Sequence, residues 1–269
     1  MVEYENATMG IVFITLPGEE QRAFCNALHK ATGGGVDLVI IRRRKQRTMS
    51  DKLNRALQVL RTRGLLQELW YAVLLRASTP TRLALKYFRA TSYGGAQAYA
   101  SKVLETEDVN SPEILALLTK MAPGLIVVWC SAILRPLILG TAQKIINFHT
   151  GILPQYRGAV ANQYAVYRRD LAHIGSTIHY VTAGVDRGDI IAQIYGDTSK
   201  RPQAMFRELN DASLDAFLET ARKMYAGEEV LSHAQDQTQG EFFRLGEWTN
   251  RMRWIVGRQL LRWEKTGKF

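Results

Sequence analysis

A chain of 269 residues with 46% hydrophobic side chains can hold one large domain, or one domain with an appendage, around a sizeable core. It has no run of about eighteen apolar residues and opens MVEYENATMG without a basic-then-apolar leader, so neither a membrane span nor a secretory signal is expected. The formal charge of +10 points to anionic partners and is clustered at 42–47 (RRRKQR), at Arg61 and Arg63, and along 251–262. Solvated helix faces explain such clusters as well as a phosphate-bearing acceptor does. No RNA-binding motif accompanies them and no stacking aromatics interleave the first cluster, so nucleic acid is not the expected partner.

In chain order, GIVFITL at 10–16 is a buried-strand candidate. Pro17-Gly18-Glu19-Glu20 then turns into a helix N-terminus, with two acids in the first turn, and that helix runs to about Ala31. A triple glycine at 33–35 ends it, and an apolar strand at 36–41 completes a parallel βαβ unit. No G-x-G-x-x-G follows the first strand, so NAD is not expected. From 48 to 90 the pattern is helical: Leu53, Leu57 and Leu60, then Leu65, Leu66 and Leu69, mark apolar faces, and Pro80 opens a further helix. The leucines and Trp70 of this insertion are expected to pack inward, with membrane or acceptor contact as the alternative. A strand follows at 102–106, and then a helix from Pro112 to about Met121, with Ser111 as its cap. Strands at 124–129 and 144–149 flank a short helix at 136–141. Cys25 and Cys130, far apart in apolar segments, suit a reduced cytoplasmic protein, and two Cys with five His in no paired spacing argue against a metal site.

Five strands separated by helices give an α/β fold, a doubly wound and mostly parallel sheet of Rossmann-like type. Such sheets bind ligands beyond the carboxyl ends of their strands. Past Gln193 the pattern weakens to a long helix within 199–226, a hairpin around Gly240, and a basic amphipathic helix at 248–269 with Trp254 and Trp263. That last helix packs on the domain, pairs with a second copy in a homodimer, or lies on a membrane surface. The expected division is a catalytic domain over 1–198, with a helical insertion at about 48–90, and a C-terminal extension over 199–269.

The chemistry concentrates between Lys144 and Gln193. Asn147 and His149, two apart at a strand end, project to one face. The run Thr150-Gly151-Ile152-Leu153-Pro154-Gln155-Tyr156-Arg157-Gly158 reads as a shaped loop. A helix candidate spans 161–170, a strand carrying His179 spans 176–181, and Asp186 stands between Gly184 and Gly188. An amide, an imidazole and a carboxylate brought together suit acyl transfer: two donors for a developing oxyanion, and a group to manage a proton. Each alone is more often a cap or a satisfied polar residue.

The sequences NFHTGILPQYRG, GSTIHYV and VDRGDII, in this order over about fifty residues, resemble the signature of the folate-dependent formyltransferases: Asn-x-His, a Leu-Pro loop, Gly-x-Thr-x-His, then Asp-x-Gly. Gly151 departs from the pattern, since many relatives have Ser there. The resemblance implies N-formyl transfer from N10-formyltetrahydrofolate to a primary amine, without metal or nicotinamide, by Asn147, His149 and Asp186. It implies that Ser131, Ala132 and Leu134 hold the pterin through main-chain groups and that Ala183, Gly184 and Val185 lie against it. Thr150, Gly151 and Arg157 are then expected to meet the acceptor, and His179 to orient Asp186 or a water. The tail is too short and too helical for the barrel that methionyl-tRNA formyltransferases carry there, and the basic clusters suit a diphosphate. A nucleotide-linked amino sugar is therefore the expected acceptor. Hydrolysis of formyltetrahydrofolate, or a non-catalytic folate- or nucleic-acid-binding protein, are the alternatives.

Overall fold

The strand IVFIT, β1 (Ile11–Thr15), is buried at every residue, as a strand covered on both faces must be. The computed structural model of the chain describes residues 10–43, 48–50, 64–129 and 132–269. Arg44, Lys45, Arg47, Leu53, Leu57, Leu60, Arg61, Arg63, Cys130 and Ser131 lie outside them. β1 pairs in parallel with β2 (Val36–Arg42) on one side and β4 (Leu125–Trp129) on the other. β3 (Lys102–Thr106) extends the sheet beyond β2, and β5 (Lys144–His149) extends it beyond β4, both in parallel. β7 (Gly175–Tyr180) and β8 (Ile190–Tyr195) complete a seven-stranded sheet with antiparallel pairings, in the order β3-β2-β1-β4-β5-β7-β8. β8 has no counterpart in the sequence reading. The order reverses between β1 and β4, and such sheets bind ligands beyond the carboxyl ends of their strands, the edge at which the parallel β5 also ends.

Helices cover both faces. α1 (Glu19–Ala31) starts with Glu19 and Glu20 in its first turn, where the helix dipole favours acids. α2 (Leu65–Ala77) and α3 (Thr79–Ala84), followed by a 3-10 turn at Tyr87–Arg89, lie in the described part of the insertion. α4 (Pro112–Met121) has the expected cap, Ser111 accepting from the Ile114 N–H, and α5 (Pro136–Leu139) follows β4. α6 (Ala161–Arg168), α7 (Pro202–Tyr225) and α8 (Asn250–Thr266) complete the chain.

The expected boundary at residue 198 is not where the packing divides. α7 lies on the sheet with α1, and its Leu214, Phe217, Ala221 and Met224 share a core with Phe13, Phe24, Trp129 and Phe148. Phe217 stacks on Phe24 at a centroid distance of 5.1 Å. A helix read as an appendage thus shares the core of the main sheet. α8 packs against α2, α3 and α6, and its Val256, Leu260 and Trp263 share a core with Ala84 of α3 and Tyr164, Ala165 and Val166 of α6.

Three further expectations are corrected. The 150–158 run is not wholly loop: Tyr156–Gly158 forms β6, which pairs in parallel with β9 (Glu241–Phe243). The residues expected to make a hairpin around Gly240 instead reach separate partners, His233 bridging to Ile190 and β9 to β6. In α2, Leu66, Leu69 and Trp70 do not pack inward but are exposed.

Candidate active site

β5 ends in Asn147 and His149, and β7 runs antiparallel beside it with His179 directly opposite Asn147. Cross-strand partners share a face, and the Asn147 Nδ2 lies 3.0 Å from the His179 Nε2. The His179 Nδ1 faces the Tyr180 carbonyl at 2.7 Å. An imidazole nitrogen facing a carbonyl must carry the hydrogen, so in the neutral ring Nε2 is an acceptor and Asn147 donates to it. The sequence reading gave His179 to Asp186 or to a water. Its Nε2 stands between Asn147 and Asp186, 3.0 Å from the Asn147 Nδ2 and 3.5 Å from the Asp186 Oδ1. Asn147 keeps a second amide hydrogen for other use.

His149 is fixed in the same way. Its Nε2 donates to the Tyr156 carbonyl at 2.7 Å, which leaves Nδ1 facing the Asp186 Oδ2 at 3.5 Å. Asp186 also accepts from the Gly158 N–H at 2.8 Å. The carbonyl of Tyr156 and the N–H of Gly158 point to one edge of β6, while Gln155 and Ala159 bond β9 from the other. β6 therefore serves as a main-chain rail that grips both members of the His149–Asp186 pair. The Asp186 loop is held from behind by Gln235, whose amide donates to the carbonyls of Asp186 (3.2 Å) and Gly188. Backbone strain gathers here, with positive φ at Gly158 (+90°), Val160 (+56°) and Asp186 (+52°).

Burial pushes the His149 imidazole down from its ordinary value, and the facing Asp186 only partly opposes this. Burial likewise works to raise the Asp186 carboxyl, but the Gly158 N–H and the positive charge that His149 and His179 carry when doubly protonated outweigh it and hold it well below the usual carboxylate range. The pair at neutral pH is an ionised carboxylate facing a neutral imidazole, with the Nδ1 lone pair turned toward the charge. A proton arriving at Nδ1 is stabilised on arrival. The arrangement can take a proton from a nucleophile while the free Asn147 hydrogen holds a developing oxyanion.

A stability consequence follows. Between the lowered folded-state value of His149 and about 6.5, the unfolded chain binds a proton that the folded chain does not, so stability falls as pH drops through that window. Asp186 acts with the same sign at lower pH, its contribution being lost as pH falls through its depressed folded value. Melting temperature is expected to decline from pH 7.5 to 5, and His149→Gln to flatten the limb below about 6.5. Equal slopes in the two proteins would remove burial of a neutral imidazole as the cause.

The other expected site residues are placed as follows. Gly151 is buried under His149, and a Cβ there would stand 2.3 Å from the Ala161 Cβ and 2.9 Å from the His149 Nε2. A side chain at this position would meet packing on both sides. Thr150 is half-buried, and its carbonyl accepts from the Asn162 N–H at 3.3 Å. Arg157 is 8% exposed, with no acceptor for its Nε–H among the described residues. Ala132 and Ile133 follow β4 at the edge beside His149, but the Leu134 side chain lies in the core below. Asn110 takes the Ile133 carbonyl at 3.0 Å and the Arg135 N–H at 2.7 Å. Ala183 and Gly184 are exposed, Val185 is half-buried, and Gly184 has a φ of +115°.

Arg43, in the 42–47 cluster read as suited to a diphosphate, is paired with Glu105 through both guanidinium and carboxylate arms. The residues that side-chain motifs missed are Tyr156 and Gly158, which act through main chain, and Gln235, which lies in a polar run with no catalytic pattern. The described residues contain no cluster of three or more His, Cys, Asp or Glu able to hold a metal.

Residues 11–212 match a family model described as formyl transferase. The chain belongs to the formyl transferase family. It is 34% identical over 145 residues to the methionyl-tRNA formyltransferase of Limosilactobacillus fermentum, a match covering 52% of this chain and 45% of that one. It is 31% identical over 151 residues to the enzyme of the same name from Levilactobacillus brevis, covering 55% of this chain and 48% of that one. The chain thus spans about half the length of the curated relatives it matches. Among solved structures, the fold is similar to a 4-N formyltransferase from Francisella tularensis, with a TM-score of 0.55 at 13% identity over 93% of this chain and 87% of that one. It is also similar to glycinamide ribonucleotide transformylase 1 from Symbiobacterium toebii, with a TM-score of 0.53 at 18% identity over 88% of this chain and 99% of that one. At the family level the sequence resemblance holds, and so does the mostly parallel α/β sheet.

Proposed function

We propose that the chain transfers a formyl group from N10-formyltetrahydrofolate to a primary amine, and that the amine belongs to a nucleotide-linked amino sugar. The observation that carries the first part is the convergence of Asn147, His149 and Asp186, with each nitrogen and oxygen assigned a partner or left free. The folate, when bound against 132–134 and 183–185, supplies an acyl carbon already attached to nitrogen. Asn147 donates its free amide hydrogen to the formyl oxygen as negative charge grows there. His149 accepts the amine proton at Nδ1 as the new C–N bond forms, and returns it to the departing N10 nitrogen. Asp186 keeps the intervening imidazolium stable, while His179 sets the rotation of Asn147. Burial of the pair keeps competing water away and strengthens each of these interactions.

The acceptor reading rests on Arg157. Its side chain is buried beside the rail that grips the catalytic pair, and no acidic group among the described residues pairs with it. A guanidinium so placed suits the phosphate of a nucleotide-linked amine. Arg157→Gln is expected to raise KM for such an amine about tenfold or more, the size of one lost charge-assisted hydrogen bond, with KM for the formyl donor unchanged. An unchanged amine KM would leave Arg157 a brace for the loop.

The test of the whole reading is incubation with formyltetrahydrofolate and a panel of amines: nucleotide-linked amino sugars, uncharged amino sugars and aminoacylated initiator tRNA. Release of tetrahydrofolate that depends on the nucleotide-linked sugar is the expected outcome. Release without any amine would make the chain a hydrolase, and formylation of the tRNA alone would assign it the acceptor named for its sequence relatives.

A further inference from the structure

The single hydrogen of the neutral His149 ring is drawn from two sides. The Asp186 carboxylate stands 3.5 Å from Nδ1, and the Tyr156 carbonyl stands 2.7 Å from Nε2. At equal distance a charged acceptor is the stronger of the two. The carbonyl prevails because it is nearer. Formyl transfer as proposed above needs it to prevail, since Nδ1 must be free to take the amine proton. Whatever holds Tyr156 in place therefore acts on the catalytic nitrogen without touching it.

β6 pairs with β9 over three residues, a short ladder for a strand whose other edge grips the catalytic pair. The further hold is on the Tyr156 side chain. Its ring is buried and stacks on Phe243 of β9 at a centroid distance of 5.4 Å. Its hydroxyl donates to the Asp170 Oδ2 at 2.9 Å. Burial and that carboxylate push the phenol up to about 12, so it is a donor at neutral pH. Asp170 is brought there by a strained turn: α6 ends at Arg169, a non-glycine residue at a φ of +61°, and the Asp170 N–H then donates to the Ala165 carbonyl at 2.9 Å. Strain of this kind persists where the surrounding structure requires one arrangement. The His173 Nδ1 lies 2.9 Å and 2.8 Å from the two Asp170 oxygens and, facing a carboxylate, carries the hydrogen. A line of contacts thus runs from the half-buried His173 through Asp170 and Tyr156 to His149.

We propose that Asp170 is a positioning residue which, through the Tyr156 hydroxyl, keeps the Tyr156 carbonyl against the His149 Nε2 and so keeps Nδ1 free to accept the proton. His173 orients Asp170. When the hydroxyl loses its carboxylate, the carbonyl is no longer fixed and the His149 hydrogen moves to Nδ1, where Asp186 accepts it. The ring can then no longer take a proton from the amine. The effect on rate rests on the formyl-transfer reading above; the effect on the imidazole does not.

The experiment compares the full chain with its Tyr156→Phe, Asp170→Ala and Asp170→Asn variants. Tyr156→Phe removes one oxygen and keeps the stacked ring, so it is expected to fold even where Asp170→Ala does not, which circular dichroism checks. Nitrogen NMR of the labelled histidines at neutral pH reads the tautomer. The parent should show the His149 hydrogen on Nε2, and Tyr156→Phe and Asp170→Ala a share of it on Nδ1. In these two variants kcat for tetrahydrofolate release should fall about tenfold, the size of one hydrogen bond to a charged group, with affinity for a folate analogue unchanged. Asp170→Asn should stay near the parent in both readouts, because its amide oxygen still accepts from the Tyr156 hydroxyl. An unchanged His149 tautomer in Tyr156→Phe would overturn the proposal whatever the rates do. So would a changed tautomer with unchanged kcat, or a loss of folate affinity that matches the loss of kcat. A parent that releases no tetrahydrofolate with any amine would instead count against the formyl-transfer reading, and the tautomer alone would then decide whether Asp170 sets the imidazole.

Discussion

Alanine at Asn147 or at His149 is expected to lower the rate of formyl transfer by about a hundred- to a thousandfold each, the usual cost of removing one preorganised group at a developing oxyanion. The reason lies in how few alternatives the site offers. Asn147 has one amide hydrogen to spare once His179 is satisfied, and His149 has one nitrogen to spare once Tyr156 is satisfied. The loss is expected in kcat, with affinity for a folate analogue retained, because 132–134 and 183–185 are untouched. Asp186→Asn should fall in the same class: the amide still accepts from Gly158 but no longer stabilises charge on His149. Because the three act on one proton and one oxyanion, the double variant at 147 and 149 should be little slower than either single one. Wild-type turnover in any single variant, measured as tetrahydrofolate release, would remove that residue from the mechanism.

The second large effect is expected from a residue with no side chain. Gly158→Ala places a Cβ 2.4 Å from the Phe243 carbonyl oxygen, at a φ of +90° that side-chain-bearing residues avoid. Either β6 leaves β9 or the backbone flips, and both withdraw the N–H that Asp186 accepts. Conformational strain and overpacking together put the cost at about 3 kcal/mol. For a chain of this size that corresponds to a melting temperature lower by about 6–12 °C. Activity should fall further than stability alone explains, since the folded fraction carries a displaced Asp186. A variant as stable and as active as the parent would show that β6 does not hold the pair.

The side chains of the candidate site were legible because their chemistry is local. Asn147 and His149 share a face by strand alternation, and Asp186 is isolated between two glycines; neither fact needs a third dimension. The parallel strands were legible for the same reason: β1, β2, β4 and β5 are short apolar runs between helix signals, and the structure returns them within a residue or so. What failed was whatever depends on a distant partner. β6 reads as loop because its pairing with β9 joins residues more than eighty apart in sequence. Gly240 reads as a hairpin turn because a turn residue does not say which strands it serves.

The sequence by itself determined the fold class, the family and the identity of the polar groups, since those rest on residue type and short-range period. Only the tertiary structure decided what each group is bound to. His149 is held by a main-chain carbonyl and Asp186 by a main-chain N–H, and main chain carries no residue-type signal for a reader to find. The structure also decided that Gly151 is enclosed, that α7 belongs to the core, and that the apolar stripe of α2 faces outward. A helical apolar period is the same string whether it meets a core or the solvent. The difference lies in what stands opposite it, and only packing supplies that.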